Sequence, residues 1–281
     1  MRDQTFMTLM RLLPKSALSS AVGMATRAPA PSKLHQAAMR VFAKRYRVDL
    51  DEAERSIVEY PTFAAFFTRK LKPGSRTIDM AADVIASPCD GAISELGTIE
   101  GGRCLQAKGL SFPVDKLVGD ARRALDFEGG QFATIYLSPR DYHRFHAPVA
   151  AKVTGYNYLP GEFWPVNQAS VRLKDALFSI NERLVTWLSS PEFGAFAYVA
   201  VGATCVSRIH AAYDDIVTHT GGRATSHTYE RAIPIEKGGE IGMFEMGSTV
   251  ILLFEKGRMR WDPKLAAGAV LRLGERIGAK R

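Results

Sequence analysis

Two patterns of apolar and polar residues divide the chain. Up to about residue 72, apolar residues recur at helical spacing, beginning with Phe6, Met7 and Leu9. Beyond Lys72-Pro73-Gly74 the pattern changes to short runs of β-branched and aromatic residues separated by glycine, proline and aspartate. The pattern predicts an N-terminal helical layer followed by a strand-rich part.

Local signals place the helix boundaries in the first part. Ala28-Pro29-Ala30-Pro31 ends the first helical stretch, and Ser32 is a suitable N-cap for a second that runs through Phe42. Residues 51–55 are expected to open a third helix. Pro61 stands where the first turn of a helix over residues 62–71 would begin.

The strand-rich part is expected to be mostly antiparallel, because long crossover helices between its strands are missing. Residues 181–188 are predicted to be a helical interruption. The fold class is therefore α+β, with an N-terminal helical layer and a mostly antiparallel, barrel-like catalytic core. We expect one catalytic domain over 1–281, of which 1–72 is the helical, membrane-associating part. Strands are predicted over 131–137, 152–158, 196–201, 204–210 and 249–255.

The net charge of +8 is concentrated at the two ends of the chain. Residues 4–47 carry eight basic side chains and no acidic one, interspersed with leucine, methionine and phenylalanine. Because no run approaches the ~20 apolar residues that cross a bilayer, this segment is predicted to lie on a membrane surface. A transit peptide, a solvated basic helix and a nucleic-acid-binding arm are alternatives. No nucleic-acid motif accompanies the segment, so no nucleic-acid partner is expected.

The three cysteines, Cys89, Cys104 and Cys205, are far apart and form no CxxC pair. The pattern suggests neither a disulfide framework nor a zinc ribbon, and each cysteine is expected to be a small buried side chain. A reducing compartment fits best. Together with the basic N-terminal segment, this favours the cytoplasmic face of the cell membrane.

Met246-Gly247-Ser248-Thr249 stands directly before the apolar run Val250-Ile251-Leu252-Leu253-Phe254. A serine amide preceded by glycine is a place where a strained backbone can be attacked by the serine hydroxyl. The alternative is an ordinary Gly-Ser turn before a buried strand.

His143 and His146 lie together in the segment 138–148. If Ser138 caps a short helical turn, the two imidazoles share one helix face and point at one place. Acid/base chemistry suits imidazole near neutral pH. A metal site and purely structural histidines remain alternatives, although the glutamate of HExxH is missing and no cysteine or carboxylate stands at an obvious ligand spacing.

Asp90 precedes Gly91 and, taken alone, indicates a turn. Combined with a histidine and Ser248, it completes a set of hydroxyl, base and orienting carboxylate in the chain order Asp, His, Ser. A serine hydrolase acting on a membrane lipid, with Ser248 as nucleophile, is therefore an alternative. Ser248 lies, however, in no Gly-x-Ser-x-Gly motif.

The sequence around Ser248 resembles the Leu-Gly-Ser-Thr self-cleavage site of bacterial phosphatidylserine decarboxylases, with Met246 in place of the usual leucine. The resemblance covers nearly the full length. Further matching motifs come in family order: Phe67-Thr-Arg-Lys-Leu71, Ser87-Pro-Cys-Asp90-Gly91, Lys108-Gly109, Tyr142-His-Arg-Phe-His-Ala-Pro148, Leu159-Pro-Gly161, Val166-Asn167, Leu177-Phe178, Asn181-Glu-Arg183 and Val201-Gly-Ala-Thr204.

The resemblance implies that Asp90, His146 and Ser248 form a self-processing charge relay. The implied reaction cleaves the chain between Gly247 and Ser248, giving a β chain 1–247 and an α chain 248–281 whose Ser248 has become a pyruvoyl group. This covalent pyruvate would be the only cofactor, without pyridoxal phosphate or metal, and would form a Schiff base with the substrate amine. In family terms His143 assists decarboxylation and protonation, so that phosphatidylserine becomes phosphatidylethanolamine.

The partners implied are phosphatidylserine, an anionic lipid surface, and the two cleavage products as an α/β heterodimer, alone or in a higher oligomer. A non-catalytic lipid-surface binding protein remains an alternative. Asn167, Asn181, Glu182 and Arg183 match family motifs and could either fix loops or contact substrate. Trp164 could lie at the membrane interface or in the core.

Overall fold

The computed structural model describes residues 2–29, 32–204, 208–247 and 249–281. Its N-terminal region is helical, as predicted, and no helix within these ranges is long and apolar enough to cross a bilayer. The α-helices are α1 (Arg2–Leu12), α2 (Lys15–Arg27), α3 (Ser32–Tyr46), α4 (Phe63–Phe67), α5 (Val114–Val118), α6 (Ala121–Ala124), α7 (Gln168–Leu173) and α8 (Leu177–Ile180).

The helical layer differs from its prediction in two places. The first helical stretch is divided at Pro14, directly before the first residue of α2. Residues 51–55 form turns and a bridge between Ala53 and Leu71, so the helix predicted there is wrong. The next helical element is a 3₁₀ turn, Ile57–Glu59, and α4 follows the N-cap Thr62 but ends at Phe67.

The strand-rich part contains sixteen strands among the described residues, and every named strand pair is antiparallel, as predicted. They are β1 (Val84–Ala86), β2 (Gly91–Thr98), β3 (Arg103–Ala107), β4 (Leu110–Pro113), β5 (Gln131–Tyr136), β6 (Arg144–His146), β7 (Ala151–Leu159), β8 (Arg183–Ser190), β9 (Gly194–Val201), β10 (Ile209–Ala211), β11 (Thr225–Ile235), β12 (Glu240–Phe244), β13 (Thr249–Phe254), β14 (Met259–Trp261), β15 (Val270–Leu271) and β16 (Arg276–Lys280).

The main sheet has eight strands in the order β11-β7-β8-β9-β13-β5-β2-β15. Strand β13 lies inside it, and all six of its residues are buried, because its β-branched and aromatic side chains pack on both faces of the sheet. In the register of β13 with its two neighbours, Thr249 stands opposite Tyr136 of β5 and Val201 of β9. Thr249 is therefore held between two neighbouring strands near the middle of the sheet.

The helix predicted over residues 181–188 is wrong, because the chain forms the short helix α8 and then strand β8. In β8, valine, threonine and tryptophan side chains pair between β7 and β9, so burial on both faces outweighs the local helical pattern. The strand predicted over 204–210 is also too long. Strand β10 begins at Ile209, and residues 205–207, which include Cys205, lie outside the described residues.

A second, smaller hydrophobic core lies within the helical layer. The main hydrophobic core spans both faces of the large sheet, whereas Met39, Ala43, Val48, Tyr60 and Phe66 form a separate buried cluster beneath α3 and α4. The fold is thus α+β. Helix α3 packs through Met39 and Ala43 on this smaller core.

Candidate active site

Residue 248 lies outside the described residues, but its two neighbours are described and mark its place. Thr249 is buried at the first position of β13. A Cβ atom added to Gly247 would lie 2.9 Å from Cε1 of His143 and 3.1 Å from the carbonyl oxygen of Leu137. Only glycine fits there without a shift, and the imidazole of His143 lies against the Gly247 backbone.

His143 is fully buried, and its imidazole stacks on the ring of Phe67, with ring centroids 4.0 Å apart and planes inclined by 17°. Neither ring nitrogen makes a hydrogen bond of good geometry with any described residue. Burial, reinforced by the positive charge of Arg69, lowers the pKa of His143 to about 3, although the backbone of Pro139 and Ser138 acts in the opposite direction. At neutral pH the imidazole is therefore uncharged.

His146 lies on strand β6, and its imidazole contacts Gly238 and Tyr142. Its Nδ1–H donates to the Gly238 carbonyl at 2.9 Å, and its Nε2 lies 3.4 Å from the hydroxyl of Tyr142. Burial lowers the pKa of His146, so a neutral ring with Nε2 as the acceptor is favoured.

The prediction that His143 and His146 share a helix face is wrong. Ser138 donates through its backbone N–H and its hydroxyl to Asp141, which closes a turn and does not start a helix. The chain then becomes extended, and residues three apart on an extended segment point to opposite sides.

The carboxylate of Asp90 is held by Arg76 in a two-point contact, with Nε to Oδ1 at 2.9 Å and Nη2 to Oδ2 at 2.5 Å. The backbone N–H of Leu273 donates to the same carboxylate at 2.8 Å, and Glu52 is a second acceptor of Arg76. The described contacts include no hydrogen bond between Asp90 and His146. Their segments are adjacent, because the backbone N–H of His146 donates to the Pro88 carbonyl at 2.7 Å.

The structure thus brings one predicted residue, His143, into contact with Gly247. Asp90 and His146 lie on neighbouring segments, each with a different partner. Their roles toward Ser248 remain predictions.

A cavity of about 200 Å³ opens beside Gly247. Phe42 and Tyr46 of α3 form one wall, so the N-terminal layer closes one side of the candidate site. Sequence reasoning missed these two wall residues, and none of the matching motifs contains either of them. The remaining lining comprises Phe67, Tyr136, Leu137, Pro139, Pro165, Val166, Asn167, Ala203, Thr204 and Met246.

The other family-motif residues mostly hold the backbone together. The Asn181 side chain bonds the backbone of Trp164 at both its N–H and its carbonyl and also reaches the Gly202 carbonyl, while Arg183 donates to three backbone carbonyls. Glu182 accepts from Tyr158 and from the backbone of His219. Asn167 caps α7 and also lines the cavity.

Trp164 is buried in the core rather than placed at a surface, with Lys15 above its ring at 4.3 Å. Cys89 and Cys104 are buried, as predicted, and burial raises the pKa of both thiols. Within the part of the chain that the structure describes, no three His, Cys, Asp or Glu side chains come together as a metal site.

Helix α2 is tied directly to the segment that carries Gly247. Nη1 of Arg27 lies 2.5 Å from a carboxylate oxygen of Glu245, whose other oxygen is 2.8 Å from Nε2 of His210. The helical layer therefore contacts residues 245–247 through α2 and lines the cavity through α3.

The chain is similar to known proteins over nearly its whole length. The family model for phosphatidylserine decarboxylase matches residues 63–279. A Myxococcus xanthus protein named phosphatidylserine decarboxylase proenzyme is 62% identical over 278 residues, covering 99% of each chain. Proteins with the same name from Anaeromyxobacter sp. and Acinetobacter baylyi are 54% and 42% identical, over 99% of this chain and 99% and 96% of theirs.

The fold and these matches define an enzyme of the decarboxylase class. More particularly, the chain belongs to the phosphatidylserine decarboxylase family.

Proposed function

We propose that this protein decarboxylates phosphatidylserine to phosphatidylethanolamine after cleaving its own chain between Gly247 and Ser248. Cleavage would give a β chain 1–247 and an α chain 248–281, and would convert Ser248 into a pyruvoyl group. The two chains would stay together as a heterodimer that forms one catalytic domain. Membership of the family supports the reaction, and the word proenzyme in the names of the relatives supports a processed precursor.

The observation that carries the proposal is the contact between His143 and Gly247. A buried, uncharged imidazole whose ring nitrogens make no hydrogen bond of good geometry with a described residue lies beside the residue that precedes Ser248. Burying a polar group without a well-formed hydrogen bond costs folding free energy. Such groups are therefore expected where a ligand or a reaction step later provides the partner. The close approach of this ring to the backbone depends on glycine, because any side chain at residue 247 would fill the space between them.

For the self-processing step, we assign His146 as the base that takes the proton of the Ser248 hydroxyl, and Asp90 as the carboxylate that orients it. In the neutral ring Nδ1–H is bonded to Gly238, so Nε2, which lies 3.4 Å from the Tyr142 hydroxyl, is the nitrogen with a lone pair that could accept that proton. The backbone hydrogen bond from His146 to Pro88 keeps the segment of His146 next to the segment of Asp90.

For the decarboxylation step, the ketone of a pyruvoyl group would bind the substrate amine and accept the electrons released with carbon dioxide. His143 is assigned to take up a proton released when the substrate ammonium condenses with the ketone, and to donate it to the carbon that has lost its carboxylate. Burial lowers the pKa of His143, so the resting ring is uncharged, and its stack on Phe67 fixes the ring plane. The proposal uses neither pyridoxal phosphate nor a metal.

We also propose that the protein is peripheral on the cytoplasmic face of the cell membrane. Helices α1 to α3 carry the acid-poor basic segment, and Leu34 and Val41 of α3 are more than half exposed. Cationic side chains attract an anionic leaflet, and exposed apolar side chains insert into it. The same helix α3 walls the cavity at Gly247, so the lipid headgroup would have a short path to the site.

Two variants separate the assigned roles. Ser248→Ala should abolish cleavage and carbon dioxide release together, because it removes both the hydroxyl and the precursor of the ketone. His143→Ala should leave appreciable cleavage but lower turnover on phosphatidylserine. Gel or mass analysis of the fragments and a carbon dioxide assay measure the two effects. Equal loss of cleavage in both variants would contradict the separate roles.

A further inference from the structure

A second, larger cavity adjoins the one at Gly247. It has a volume of about 670 Å³, within the range of small-molecule sites, and Tyr136 and Val166 line both cavities. Strands β2 and β3, helix α7 and the turn at Ala267 and Gly268 enclose it. The two cavities are therefore neighbours across a shared wall.

The lining of this second cavity is amphipathic. Ala92, Ile93 and Val171 provide apolar surface, whereas Lys108 and Arg172 provide positive charge. Apolar surface beside a cation suits an amphiphile with a negatively charged group, such as the glycerol and phosphodiester part of a phospholipid.

Lys108 is the cation that remains available there. It is exposed in the turn between β3 and β4, and it makes no ion pair or hydrogen bond with any residue in the described ranges. Arg172, in contrast, is 2.9 Å from a carboxylate oxygen of Asp3. Glu95 also lines the cavity, and burial raises the pKa of its carboxyl group.

The position of the shared wall matches the shape of the substrate. Tyr136 stands opposite Thr249 in the sheet, one residue from Ser248. In a serine phospholipid only a few bonds separate the reacting amine from the phosphate. A lipid whose amine is at residue 248 must therefore place its phosphate close to Tyr136, where the second cavity begins.

We propose that the second cavity binds the glycerol and phosphodiester part of the substrate lipid, with Lys108 contacting the phosphate. The inference rests on the proposed function and specifies how that function recognises a diacyl phospholipid. Lys108 also belongs to one of the sequence motifs to which the catalytic steps assign no task.

The contribution of the Lys108 charge to lipid binding is tested with Lys108→Gln and Lys108→Arg. The control is Lys116→Gln, which removes an equal charge from an exposed site on α5. Turnover of phosphatidylserine in mixed micelles is measured for each chain after its cleavage has been checked by mass. Lys108→Gln should raise KM about tenfold, as expected for the loss of one charge-assisted contact, with little change in kcat. Lys108→Arg should restore most of the affinity, whereas the Lys116 control should match the unsubstituted chain.

Occupation of the cavity by the lipid is tested with Ala267→Trp, which places a large ring at the rim of the cavity. The control is Ala266→Trp, at an exposed neighbouring residue that does not line the cavity. Only Ala267→Trp should raise KM. If the unsubstituted chain cleaves and releases carbon dioxide but Lys108→Gln and Ala267→Trp equal their controls, the cavity assignment alone is overturned. If the unsubstituted chain does neither, the proposed function fails, and this inference fails with it.

Discussion

At Gly247 the lack of a side chain is a requirement of space. A methyl group there would meet the imidazole of His143 and the Leu137 carbonyl at about 3 Å. Gly247→Ala should therefore lose most of its self-cleavage and be destabilised by about 1–3 kcal/mol, the usual cost of overpacking. Fragment analysis and denaturant unfolding measure both effects.

Gly222→Ala is the matched control for this substitution. The added methyl would meet only the edge of Tyr158 at an ordinary 3.5 Å, so cleavage should be unchanged and stability should shift by less than about 0.5 kcal/mol. Normal cleavage in Gly247→Ala would show that the contact with His143 is not needed for processing.

The buried His143 also predicts how stability depends on pH. Its pKa is about 3 in the folded chain and near 6.5 in a free side chain, so the unfolded state binds the extra proton between these values. Stability should therefore fall as pH is lowered below about 6.5. The expected contribution from this residue is about 2 kcal/mol between pH 7 and pH 5.

Denaturant unfolding at the two pH values tests this expectation in the unsubstituted chain and in His143→Gln. The variant should lose about 2 kcal/mol less on acidification. His227→Gln, at an exposed histidine, serves as the control and should behave like the unsubstituted chain. An identical loss in all three chains would mean that His143 is not buried as an uncharged ring.

Sequence alone singled out Gly247, Asp90 and the two histidines because their residue types carry recognisable chemistry. It misjudged how His143 and His146 are arranged, since nothing local shows that Asp141 closes a turn and sends the chain into β6. It also missed Phe42 and Tyr136, which reach the cavity only through long-range packing.

Among the elements, α4 connects α3 to His143. Phe67 stacks on His143, and its ring centroid lies 5.9 Å from that of Phe42 in α3. Phe67→Leu should lower kcat severalfold because the imidazole loses the surface that fixes its plane. A stability loss of about 1 kcal/mol is expected in addition.

Phe66→Leu separates this effect from a general loss of packing. Phe66 is equally buried on the same helix, but it contacts Tyr60 and Phe42 rather than His143. A similar stability loss with nearly normal kcat is expected for it. If the two variants had equal kcat values, Phe67 would have no positioning role.

The elements that sequence predicted well are those whose local pattern and tertiary surroundings agree. The run at β13 is apolar and β-branched, and it is buried on both sides in the sheet. Strand β8 was misread as helical because its preference is decided by pairing with β7 and β9, which no local pattern reports. Residues 51–55 have helix-forming side chains but are held in turns by a bridge to Leu71.

At the scale of the whole molecule, the basic helical layer predicts binding to anionic lipid vesicles. Leu34→Glu, on exposed α3, should weaken sedimentation with phosphatidylglycerol vesicles severalfold, because a carboxylate replaces an inserting side chain. Leu125→Glu makes the same change at an exposed site outside the layer and should have little effect. Equal weakening by both substitutions would indicate that the layer is not the contact surface.

In the proposed reaction, Ser248 is consumed once to make the electrophile. Intact-mass analysis of the purified chain, combined with carbon dioxide release from phosphatidylserine, decides whether this happens. We expect a fragment 1–247 ending at Gly247 and a fragment 248–281 that begins with a pyruvoyl group and lacks the serine amine. A single uncleaved chain of 30.9 kDa that still decarboxylates phosphatidylserine would contradict the account.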